Sequence, residues 1–263
     1  MDMHNLEVLL GLAREALEQG DAAEAVKLLR PQVDRHPDHG ELLALYGEAL
    51  VDAGRLPDGL KLLEDASRRL PDDVDILSAL GDACFEAGLP ERAAAAYQAI
   101  LARDPQDADA LVSLGLVHFH QERTDQAERC YRQALAIDPD SVFAWHSLGD
   151  ACFALGQIDE ARRCYEQALA IDPDDPQGHF NLAEFLYENG DLAGAEARCR
   201  ETLRRDPRFG FAWLTLGNIC LDQELVQEAV NCFQKFLDIE KGPAAEEIRA
   251  EVKALIDGLR EEL

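Results

Sequence analysis

Large apolar residues recur along this chain at helical spacing, and the whole pattern repeats every 34 residues. The register is set by Pro37, Pro71, Pro105, Pro139, Pro173 and Pro207. With each proline placed at position 32 of its unit, the units begin at Leu6, Gly40, Val74, Ala108, Val142, Pro176 and Gly210. Bulky residues at positions 4, 7, 11 and 24 predict two amphipathic helices per unit. Position 8 is Gly or Ala throughout and position 20 is Ala or Gly, so the paired helices are predicted to approach closely. The residue at 24 then fills the space between them: Tyr97, Tyr131 and Tyr165 in the central units, Leu, Cys or Phe elsewhere. The prediction is an all-α solenoid of helix-turn-helix repeats forming a single domain over residues 1–263.

Turn residues sharpen the boundaries. Position 15, between the helices, holds Gly20, Gly54, Gly88, Gly156 and Gly190, where a left-handed helix cap favours glycine. Glu122 and Glu224 replace it in two units, and those turns are expected to be altered or less stable. Pro57 and Pro90 fall at the start of second helices, where a missing N–H costs nothing. Pro31 falls inside one and predicts a kink or an early end. In the seventh unit Lys241 occupies position 32, with Pro243 two residues on. Beyond it, Ala244 to Leu263 carries Ile248, Val252, Leu255, Ile256 and Leu259 on one face, the pattern of a helix covering an open end.

The fifth unit carries Trp145, Leu148, Gly149, Ala161, Tyr165, Ala168 and Pro173. In these positions the chain resembles the tetratricopeptide repeat (TPR) family. The resemblance covers seven tandem repeats, at about 6–39, 40–73, 74–107, 108–141, 142–175, 176–209 and 210–243, with a capping helix at 244–263. It implies a right-handed superhelix whose first helices, positions 1 to 14, line a concave groove. It also implies protein binding rather than catalysis.

Charge gives that groove a sign. The formal net charge is −27, from 52 acidic and 25 basic residues. Such a chain repels phosphate backbones and anionic headgroups, which disfavours nucleic acid and membrane surfaces as partners. The acids are concentrated: the seven first helices contain 14 carboxylates and one cation, Arg14. Position 9, a groove position by the resemblance, includes Glu48, Asp82, Asp150, Glu184 and Asn218. Positions 2 and 5 add Phe143, His146, Phe180 and Phe211 in the later units. These nine residues are the expected partner-binding set. They would receive a basic, partly apolar peptide segment of another protein, with carboxylates giving attraction and aromatics giving anchoring contact. TPR domains that grip acidic chaperone tails use groove Lys, Asn and Arg; here acids stand at most of those positions and only Asn218 fits, so that use is not expected.

Chemistry-bearing patterns are sparse. The seven cysteines form no CxxC pair; six fall at repeat-equivalent positions 11 and 23 and one at 24, where they read as small packing residues. His118, His120, His146 and His179 lie in three successive first helices, the nearest approach to a metal cluster. Positions 11 and 4 make His118 and His179 packing residues, while His146 is better placed to meet a ligand. No phosphate loop, nucleophile elbow or zinc-protease motif occurs. The expectation is a cytoplasmic, non-enzymatic adaptor without cofactor or metal. The rival expectation is a self-assembling scaffold, a homo-oligomer in which the terminal helix or first repeat docks onto another copy.

Overall fold

The computed structural model describes residues 3–242 and 245–262; Pro243, Ala244 and Leu263 of the sequence reading lie outside the described residues. Among these residues there are fifteen helices and no strand, an all-α helical repeat fold. They divide into two compact units, 1–139 and 140–263.

The first unit contains four helix pairs. They are α1 (Met3–Glu18) with α2 (Ala22–Val33), α3 (Gly40–Asp52) with α4 (Leu56–Arg69), α5 (Val74–Glu86) with α6 (Pro90–Leu101), and α7 (Ala108–His120) with α8 (Thr124–Ile137). Successive pairs stack, and α1, α3, α5 and α7 touch in series. The second unit contains α9 (Val142–Ala154) with α10 (Ile158–Ile171), α11 (Pro176–Glu188) with α12 (Leu192–Arg205), and α13 (Gly210–Asp222) with α14 (Val226–Ile239). Its last helix, α15 (Glu246–Glu262), packs on α14.

The close approach within each pair follows from the missing side chains at position 8. A Cβ on Gly81 or Gly149 would stand 2.6 or 2.7 Å from Cε1 of Tyr97 or Tyr165, so the ring takes the space the glycine leaves. The alanines at position 20 are fully buried beside them. Each first helix from α3 to α11 begins on a side chain two residues after the register proline. His39, Asp73, Asp107, Ser141 and Asp175 each accept an N–H from the first turn, relieving one unpaired donor there.

Of three local expectations, those for the two glutamate turns and for the last helix change, and that for Pro31 is met. Glu122 and Glu224 adopt φ of 60° and 63°, inside the same left-handed region as the position-15 glycines. Their turns are therefore not altered. The N–H of Glu122 reaches the carbonyl of Phe119 at 2.9 Å, just as that of Gly156 reaches Phe153 at 2.9 Å. The difference is backbone strain of about 1 kcal/mol for a side chain held at positive φ. Pro31 lies inside α2, which ends two residues later at Val33, two repeat positions before the ends of α4, α8, α10, α12 and α14, the early end that the sequence predicts; α6 stops at the same position with no proline beyond its first residue. In α15, Val252 and Ile256 are buried and Ile248 and Leu259 pack beside them against Phe233, Phe236 and Leu237, but Leu255 is exposed. Arg249 fixes the helix further by donating to the carbonyl oxygen of Leu237 at 2.9 Å.

Candidate binding faces

In the first unit the carboxylates of α3 and α5 converge. Two adjoining cavities of about 350 and 430 Å³ share Glu48 and Asp75 in their walls. The first also holds Glu18, Glu41 and Arg14; the second holds Asp52, Asp82 and Glu86 and is lined by no Lys or Arg. Arg14 is itself bound to Glu41. Glu48 is half-buried, and its carboxyl is pushed up to about 7. Loss of hydration is the main cause, Asp52 adds repulsion, Arg14 opposes it, and Asp75 and Asp82 contribute less. Asp82 is exposed and accepts a hydrogen bond from the Tyr97 hydroxyl at 2.6 Å.

The second unit mixes charge with rings. Asp150 accepts from the Tyr165 hydroxyl at 2.6 Å, and Glu184 accepts from Thr215 Oγ1 at 2.9 Å. Both carboxylates are reached by solvent yet crowded by protein, and burial raises their pKa against the pull of those donors. They border a cavity of about 200 Å³ together with Phe153, Tyr165, Asn181, Phe185 and Glu188. Phe143 and Phe211, both at position 2, are 56% and 41% exposed. Asn218 is half-buried on α13.

Two of the nine expected residues are not accessible. His146 is buried: Gly178 of α11 leaves the room its imidazole occupies, with Nε2 3.1 Å from where a Cβ on Gly178 would stand. Burial lowers its pKa, with Asp175 opposing. Phe180 is buried too, its ring 4.8 Å from that of Phe209. His146 is covered from the neighbouring repeat, and Phe180 packs on Phe209 at the end of its own repeat. What the sequence reading missed is the tyrosine at 24 as a partner for the acid at 9. The signal was present, because Asp82 and Tyr97, like Asp150 and Tyr165, stand 15 residues apart within one repeat.

Basic residues on the second helices are occupied locally. Arg132 bridges Glu128 at 3.0 Å, Arg200 bridges Glu196 at 2.8 Å, and Arg204 bridges Glu201 at 2.8 Å. These pairs add little stability, but they leave the first helices carrying the unmatched charge. The described cysteines are free thiols, six buried and Cys130 half-buried. Among the described residues no group of three or more His, Cys, Asp or Glu side chains is placed to hold a metal ion. No described helix is long and apolar enough to cross a membrane.

Tetratricopeptide repeat family models match residues 10–74, 47–108 and 78–142, and further ones match 130–163, 149–190 and 212–242. A search of the curated proteins finds no match. Among solved structures, a tetratricopeptide repeat protein from Parabacteroides merdae superposes with a TM-score of 0.77 at 21% identity, over 95% of this chain and 98% of that one. A chain of the APC/C hetero-tetramer Cut9–Hcn1 gives 0.73 at 14% identity, over 91% of this chain and 48% of that one. YrrB, described as a TPR protein with an unusual peptide-binding site, gives 0.52 at 20% identity, over 73% and 97%. At these identities the likeness concerns the fold.

Proposed function

This chain belongs to the tetratricopeptide repeat family, and on that premise we propose that it is an adaptor receiving a basic, partly apolar segment of another protein on the first-helix faces of its units. Proteins of this family are generally interaction adaptors without catalysis of their own. The observation that carries the specific reading is the cavity lined by Glu48, Asp52, Asp75, Asp82 and Glu86 with no cation in its wall. A low-dielectric concavity of one sign concentrates the field and draws in the opposite charge. YrrB, with its peptide-binding site, and Cut9–Hcn1, an assembly of two proteins, support the same use of such repeats.

In this reading Glu48 and Asp82 attract the segment in the first unit, and Asp150 and Glu184 do so in the second. Phe143 and Phe211 supply exposed apolar contact, and Asn218 offers its amide to the ligand backbone. His146 and Phe180 support the face from beneath.

The test is a triple charge reversal, Asp82→Lys with Asp150→Lys and Glu184→Lys, in the full chain. Partner capture from native cells, quantified by mass spectrometry, is expected to be lost while the helical circular dichroism is unchanged. Undiminished capture by the reversed protein refutes the assignment. Affinity for the captured partner should also fall as salt rises.

A further inference from the structure

The cavity of about 200 Å³ in the second unit differs in kind from those of the first. We infer that it is a receptor for one arginine side chain, with Phe153, Tyr165 and Phe185 forming its aromatic wall and Asp150, Glu184 and Glu188 its anionic rim. This rests on the proposed reading of the first-helix faces and names the side chain that one of them selects.

The rings form a connected group: Phe153 meets Phe185 edge-on at 5.4 Å between centroids, and Tyr165 lies 5.4 Å from Phe185 at a tilt. Tyr165 and Phe185 are buried and Phe153 is half-buried, so the group is part of the packed scaffold and needs little ordering on binding. Two of the carboxylates are already aimed. The Tyr165 hydroxyl holds Asp150 at 2.6 Å, and Thr215 holds Glu184 at 2.9 Å. No lysine or arginine lines the cavity, so its negative charge has no internal answer. Burial keeps both Asp150 and Glu184 above the ordinary carboxylate range, the condition that a cation entering the cavity relieves.

Size and shape select the ligand. The volume is below the ~300–1,000 Å³ of a site for a whole drug-sized molecule, which suits a single side chain. A planar guanidinium can lie against the half-buried Phe153 ring, which the buried Phe185 and Tyr165 back, while donating to two carboxylates at once; a compact, strongly hydrated ammonium does this less well. The cavities of the first unit have no aromatic residue in their walls, so they attract positive charge without distinguishing its shape.

The experiment titrates the full chain at low salt with acetyl-Gly-Arg-Gly-amide and with its lysine and citrulline counterparts, followed by amide NMR shifts. The arginine peptide should bind saturably, with shifts on α9 to α12. The lysine peptide should bind about fivefold more weakly, and the isosteric but neutral citrulline peptide about tenfold or more. Phe153→Leu, which keeps apolar volume but removes the ring, should weaken the arginine peptide about tenfold and erase its preference over lysine. Glu166→Gln, at an exposed carboxylate of α10 that does not line the cavity, should leave it unchanged. Where Phe153→Leu lowers the melting temperature, Glu188→Gln at an exposed position gives the same loss without touching the core. Equal binding of arginine and citrulline peptides, or full retention in both Phe153→Leu and Glu188→Gln, overturns the inference. Either result leaves salt-sensitive capture of a longer basic segment intact, which separates its failure from that of the adaptor reading.

Discussion

Position 9 of the repeat carries an acid in both units, yet Glu48 and Asp150 live in different surroundings. Glu48 shares its cavity with Leu63 at position 24, which has nothing to donate, and with Asp52, Asp75 and Asp82. Asp150 has Tyr165 at position 24, whose hydroxyl reaches it at 2.6 Å and partly offsets the loss of hydration. One residue on the second helix thus decides whether an acid on the first stands among repelling neighbours or is tied to a donor. The first unit also ties one acid, Asp82, to a tyrosine, but its cavities gather charge with no ring in their walls, whereas that of the second combines charge with rings.

The largest effect should come from breaking the sign of the first face. Reversing Asp75 and Asp82 to lysine is expected to weaken a lysine-rich peptide about a hundredfold, or ~3 kcal/mol, as read by titration calorimetry at low salt. Reversal of Asp150 and Glu184 together should cost only about tenfold. Equal losses would mean the two faces do not differ in charge density.

Glu48 sharpens the contrast through pH. Its folded pKa, about 7, lies above its ordinary 4.5, so the folded state holds a proton the unfolded chain has lost. The stability this confers is complete below about pH 4.5 and disappears as pH rises through about 7. Glu48→Gln is therefore expected to stabilise at pH 8 by about 2 kcal/mol and to gain nothing at pH 4, measured by urea unfolding. A uniform shift at both pH values would locate the effect in packing instead.

Tyr165→Phe removes the donor that ties Asp150, as Tyr97 ties Asp82 in the first unit. The ring still covers Gly149, so the loss should be about 1 kcal/mol, and the Asp150 carboxyl should titrate higher still by carbon-detected NMR. The smallest effect concerns the turns, one in each unit. Glu122→Gly and Glu224→Gly should each stabilise by about 0.5 kcal/mol, the left-handed strain being partly offset by glycine's freedom in the unfolded chain. Matched gains in thermal unfolding would show that both units bear the same backbone cost.

The repeat and its helix pairs were legible because glycine, proline and small residues act locally: Gly149 predicts the ring of Tyr165 within a single repeat. The side chains at position 9 were legible for the same reason. Position 5 was not. Whether His146 meets solvent depends on Gly178 of the following repeat, a neighbour that a pattern read one unit at a time does not contain; Phe180 is covered by Phe209 at the end of its own repeat, a contact that helical spacing does not show. Leu255 failed likewise, since the width of the stripe that α15 buries is set by the shape of α14. Glu122 and Glu224 show the opposite case: a local preference for glycine was overruled by the seven-fold register of the stack.

The ion pairs of the second helices carry one more implication. Because Arg132, Arg200 and Arg204 each discharge an adjacent glutamate, those surfaces are electrically quiet at a distance, and an approaching cationic chain feels mainly the other side. On the proposed reading, collisions would then be sorted before contact, a cationic visitor being turned toward the first-helix faces while still a Debye length away. Ionic strength should accordingly slow arrival far more than it hastens departure.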